Sequence, residues 1–152
     1  MEPTIFAGEK LVIDENYYHH HSVQRRDISA IRKSLSDSAT TSGRRETLLV
    51  IKRVVAIAGD TIEGKNQQIF VNRERQDEPY IQHKFKARAG NVLDTFGPIT
   101  VPPGKFFVLG DNRDVSLDSR SPEFGLVDAQ SIMGKPIYAY RIIGDPHSWE
   151  LH

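Results

Sequence analysis

The run "TLLVIKRVVAIAG" (47–59) constrains the fold more than any other stretch of the chain. It is dense in β-branched residues and lacks a helix cap, so it reads as a strand. Strand alternation puts Val50, Lys52 and Val54 on one face and Ile51, Arg53 and Val55 on the other. A lysine therefore stands inside an apolar strand. If buried, its amine needs a partner, or it shifts its pKa and becomes chemically useful.

Other short β-like runs support the same class: "KLVIDE" (10–15), "QIFVN" (68–72), "FFVLG" (106–110) and "KPIYAYRII" (135–143). Gly, Pro, Asn or Asp stand near many of their ends, and no stretch forms a long capped amphipathic helix. The expectation is a mainly β protein. "RRDISAIRKSL" (25–35) fits a helical stripe or a strand face equally well. The Ser- and Thr-rich segment 34–46 reads as a mobile surface loop.

The 152 residues suit a single domain spanning 1–152. Twenty basic and twenty acidic side chains cancel, which argues against a nucleic-acid partner held by bulk positive charge. Cysteine is absent, so disulfides, thiolate metal sites and cysteine catalysis are excluded. No apolar run approaches the roughly 18 residues of a transmembrane helix, so the sequence as given reads as soluble.

Lys52 has two readings at this stage. It is either an edge-strand lysine that discourages sheet-to-sheet pairing, or a desolvated amine able to take a proton from a hydroxyl. The second needs small polar groups to orient the amine, and "VLGDNRDVSLDSRSPEFG" (108–125) is dense in them. In an extended loop Ser116, Asp118 and Arg120 would share one side. Asp118 and Arg120 would pair and stiffen the loop, leaving Ser116 to hydrogen-bond the amine. An Asx-turn-rich surface loop is the plainer alternative. Asp114, Ser116 and Asp118 have the spacing of a calcium loop. However, Ser119 occupies the glycine position and Gly125 the twelfth, which rejects calcium. "HHH" (19–21) reads as a solvated loop, because adjacent residues point apart rather than converge on a metal.

Taken together, three boxes resemble signal peptidase I, the membrane-bound Ser/Lys endopeptidase family that removes signal peptides. "MEPTI" is similar to the nucleophile box Ser-Met-x-Pro-Thr, "KRVVAIAGDTI" to the general-base box, and "GDNRDVSLDSR" to the third signature. The resemblance implies coiled antiparallel β-sheets with an additional smaller lobe. It implies Lys52 as general base, Ser116 orienting its amine, and Asp118 with Arg120 bracing the loop. Met1, Pro3 and Thr4 would lie at the active-site edge, and Ile51 would line shallow pockets for small residues. The implied partners are signal peptides of exported preproteins and, for the longer parent protein, a membrane surface. That parent would be anchored with its catalytic domain on the extracytoplasmic side. No metal or organic cofactor is implied.

The sequence departs from the family pattern at its start. The family's catalytic Ser immediately precedes the Met of the first box, and this sequence opens on that Met. The expectation is a peptidase chain lacking its nucleophile and inactive as given. The alternative is a pseudo-peptidase of the same fold that binds peptides or assists assembly. Among smaller departures, Arg73 replaces the usual Gly after "VN", so that turn is open to difference.

Overall fold

The computed structural model describes residues 1–36, 45–81 and 95–140. Two antiparallel sheets carry the fold. The larger has six strands in the order β1 (Lys10–Asp14), β10 (Ile132–Tyr140), β2 (Ile28–Ser36), β3 (Arg45–Ala56), β8 (Lys105–Leu109) and β9 (Val127–Asp128). The smaller has four, in the order β6 (Glu74–Arg75), β5 (Gln68–Val71), β4 (Thr61–Lys65) and β7 (Phe96–Thr100). This is the mainly β architecture with a smaller lobe that the sequence implies.

β3 is an interior strand, paired with β2 on one side and β8 on the other. Lys52 stands at the point where that second pairing begins. Its backbone pairs with Ser29 of β2, and the register with β8 starts at the next residue, Arg53, so the strand is interior by its place in the sheet although Lys52 itself is paired on one side. Both faces of β3 are covered over Arg53–Ala56, while Leu48 and Leu49 nearer its start are exposed. Val54 and Val50 pack with Ile31, Val108, Phe124 and Val127, while Val55 and Ala56 join Ile62, Val71, Phe107 and Leu109 against the small sheet. A register shift between Val54 and Ala56 turns two successive residues toward that second cluster.

The ambiguous segment 25–35 resolves as strand β2, where Ala30 and Ile31 are both fully buried. Of the segment 34–46, residues 34–36 and 45–46 belong to β2 and β3, and 37–44 lie outside the described residues. The "HHH" stretch is solvated, as expected, but only its last residue lies outside a helix. His19 and His20 end the four-residue helix α1 (Tyr17–His20), and the His21 ring stacks on Tyr17 at 4.3 Å. All three are exposed. The Asn72–Arg73 turn keeps left-handed backbone at both residues, φ 54° and 70°, although the second position holds Arg where the family has Gly.

Candidate active site

Lys52 sits where β3 passes the end of β8. The chain leaving β8 turns at Gly110 and returns through Ser116, Asp118 and Arg120. The Lys52 amine donates a 2.8 Å hydrogen bond to Ser116 Oγ. The Phe124 ring lies below it, with its centroid 5.9 Å from Nζ. Burial pushes the Lys52 pKa down, and nearby Arg120 adds to that; Asp118 pulls the other way. Desolvation is the largest of these effects, so the amine stands below the ordinary lysine range.

The loop is held by two guanidinium groups. Arg120 makes a two-pronged pair with Asp118, through Nε at 2.8 Å and one terminal nitrogen at 2.9 Å. Both side chains are almost wholly buried. The Asp118–Arg120 pair expected from the sequence is thus present, but the loop is a series of turns rather than an extended strand. Asp118 reaches back to accept from the Gly110 N–H at 3.1 Å. A side chain on Gly110 would collide with Ser116 Oγ and lie 2.6 Å from its Cβ and 3.6 Å from Lys52 Nζ. Only glycine lets the hydroxyl settle against the amine at this point.

An open cavity of about 660 Å³ leads to Lys52 and Ser116. Its lining is mostly apolar and includes Met1, Ile5, Phe6, Leu48 and Ile51, but Glu2, Glu9 and Asn112 also stand on the wall beside the Lys52 amine and the Ser116 hydroxyl. Met1 and Ile51 line this cavity, and Pro3 does not. The N-terminal residues form a tight turn, with the backbone N–H groups of Thr4 and Ile5 both donating to Met1 O. The Thr4 hydroxyl donates to Asp111, a fully buried carboxylate that also receives both prongs of Arg53 at 2.8 and 2.7 Å.

Several contacts here were not read from sequence. Arg53, on the face of β3 opposite Lys52, is the second cation of the opening run, and Asp111 is its partner. Tyr80 stacks beneath Arg53, 3.9 Å from guanidinium carbon to ring centroid. Glu78 accepts two hydrogen bonds from Arg113, at 3.0 and 2.6 Å. The one available signal was the coincidence of Arg53, Asp111 and Arg113 with the same boxes that hold Lys52 and Ser116. Among the described residues no cluster of His, Cys, Asp or Glu is arranged to hold a metal ion.

In chemical terms the arrangement offers one partly desolvated amine, oriented by a hydroxyl, in an open and mostly apolar cavity. Residues 1–140 match the family described as signal peptidase, peptidase S26. Signal peptidase IB of Staphylococcus aureus is 32% identical over an alignment of 151 residues that covers 92% of this chain and 72% of the relative. Signal peptidase I of Bacillus licheniformis is 32% identical over 143 residues, covering 92% of this chain and 71% of that protein. The crystal structure of a signal peptidase I from Enterococcus faecalis V583 superposes with a TM-score of 0.54 at 29% identity, over 76% of this chain and 97% of that one. The chain belongs to the signal peptidase family, peptidase S26.

Proposed function

We propose that residues 1–152 form one catalytic unit of a Ser/Lys endopeptidase that cuts signal peptides from exported preproteins, with Lys52 as its general base. The observation that carries this reading is the half-buried Lys52 amine, held 2.8 Å from Ser116 in a mostly apolar cavity, in a chain of a peptidase family. The nucleophile is a serine joined to the N-terminal side of Met1. Met1 lines the cavity that holds Lys52, which supports an attachment point beside that space.

In this mechanism neutral Lys52 takes the hydroxyl proton as the serine oxygen bonds to the scissile carbonyl carbon. Backbone N–H donors hold the oxyanion. The carbonyl then re-forms, the bond to the leaving amine breaks, and Lys52 returns the proton to that amine. Water, deprotonated by the same lysine, hydrolyses the acyl-enzyme and restores the serine. Ser116 keeps the amine aimed through the cycle, and the Asp118–Arg120 pair keeps Ser116 in place. Shallow surfaces beside Ile51 and Met1 select small side chains, because larger ones clash.

The longer protein is read as membrane-anchored, with this unit on the extracytoplasmic side. Among the described residues no helix is long and apolar enough to cross a membrane.

Cleavage of an Ala-x-Ala signal-sequence peptide tests the proposal. Three forms are compared: residues 1–152, the same chain with a serine and its upstream neighbours joined to Met1, and that extended chain with alanine in place of the serine. Cutting after the second alanine only in the serine form is expected. Equal cutting in the alanine form would make Ser116 the nucleophile instead. A folded serine form that binds the peptide without cutting it would identify a pseudo-peptidase.

A further inference from the structure

The groups that hold the candidate site do not all come from the large sheet. Two come from the arm that follows β6 in the small lobe, "QDEPYI" (76–81). Glu78 and Arg113 form a two-pronged ion pair whose side chains are only 5% and 6% exposed. Arg113 Nε also donates to Gly110 O at 3.0 Å, and Arg113 O accepts from Arg120 at 2.7 Å. Gly110, the floor beneath Ser116 and Lys52, is therefore gripped on its N–H by Asp118 and on its carbonyl by Arg113. Asp118 belongs to the same loop. Glu78 is a carboxylate from outside that loop, and it fixes the second grip.

Two residues further on, Tyr80 turns to the other half of the site. Its hydroxyl donates to Glu78 at 2.9 Å, while its ring supports Arg53. Arg53 holds Asp111, and Asp111 holds Thr4 in the N-terminal turn that begins at Met1. One short arm thus reaches both the loop carrying Ser116 and the turn where the proposed nucleophile attaches.

We propose that Glu78 and Tyr80 are positioning residues of the peptidase: delivered by the small lobe, they hold the Ser116 loop and the Met1 turn in one fixed spacing across Lys52. The inference rests on the Ser/Lys reading above. Neither residue lines the cavity, so substrate binding does not depend on them directly. An apolar replacement of Glu78 leaves Arg113 as a buried cation without its carboxylate, and the loop relaxes to hydrate it. Relaxation also admits water to Lys52. The charged groups bearing on that amine are Asp118 and Arg120 in the loop, with Glu2 and Glu9 on the cavity wall and Lys33 across the Phe124 ring. These stay in place in a Glu78 variant, whereas Glu78→Gln leaves the Arg113 cation unpaired beside Gly110, and its field lowers the proton affinity of Lys52. A rise at Lys52 therefore reports water admitted by the loop and not the lost charge.

The test uses the serine-extended chain and its Glu78→Gln, Glu78→Asp and Tyr80→Phe variants, with rates normalised to the folded fraction. For Glu78→Gln, kcat is expected to fall by roughly tenfold or more with KM within about twofold, as misplacement by a fraction of an ångström produces. The acidic limb of the pH–rate profile is expected to move to higher pH as Lys52 regains water. Tyr80→Phe keeps the ring under Arg53 and loses only the bond to Glu78, so a smaller fall in the same direction is expected. If Glu78→Gln does not fold, Glu78→Asp and Tyr80→Phe decide by the same two readouts. Variants that fold and retain the parent kcat and acidic limb would overturn the proposal while leaving the Ser/Lys reading intact. A parent extended chain that never cuts would overturn that reading first, and this proposal with it.

Discussion

Lys52 Nζ and Ser116 Oγ meet at 2.8 Å over Gly110, which has no side chain to part them. The pair joins the middle of strand β3 to a loop 64 residues further along the chain. Replacing Ser116 by Ala leaves the amine buried but unaimed. In the serine-extended chain this is expected to lower kcat on the order of a hundredfold with little change in KM, read from steady-state cleavage.

A methyl group at Gly110 tests the same contact from below. Gly110→Ala drives into the Ser116 side chain, so the loop must shift. Overpacking of this kind costs about 1–3 kcal/mol. A loss of stability in that range is expected in denaturant titration, together with a fall in kcat exceeding any loss of folded protein.

Burial of Lys52 also makes stability depend on pH. Its pKa is lower folded than unfolded, where it is about 10.4. Between those two values the unfolded chain binds more protons, so stability rises with pH through that window. Below it the penalty of burying the charge is complete. Lys52→Met is expected to be inactive in the extended form, more stable than the parent near neutral pH, and to lack this rise. Denaturant titrations across the alkaline range check it.

The Arg53–Asp111 pair is buried, and the two are 58 residues apart in sequence. Removing one partner strands the other charge, at a cost of about 3–5 kcal/mol. Asp111→Ala is expected to destabilise by this amount. The double variant Arg53→Met/Asp111→Leu, measured in the same denaturant series, is expected to recover most of it.

Arg73 keeps φ at 70° in a two-residue turn, a region that disfavours side chains with a Cβ. Arg73→Gly is expected to raise stability by about 0.5–1 kcal/mol, visible as a higher melting temperature, with no effect on cleavage.

What the sequence could express was local. β3 announces itself through its β-branched run, and the Asp118–Arg120 pair is separated by only one residue. β2 stayed ambiguous because Ala30 and Ile31, on opposite faces, are both fully buried, which erases the alternation that marks a strand. β7 was hidden by Gly97 and Pro98, residues that argue against an interior strand; it lies at the edge of its sheet, where they are tolerated. Lys52 was open to an edge-strand reading because pairing partners 23 residues upstream cannot be seen in a strand's own composition. The same limit hid Glu78: its partner Arg113 is 35 residues away, in a different lobe.

The most direct measurement is the proton affinity of Lys52 itself, followed by NMR on ¹³C-lysine-labelled chain, with Lys52→Arg to assign the resonance. The expected result is a lysine that loses its proton below the ordinary value of about 10.4, and that returns toward it when Ser116 and its loop are released. A Lys52 that titrates with the surface lysines would contradict a general base at this site, whatever stands before Met1.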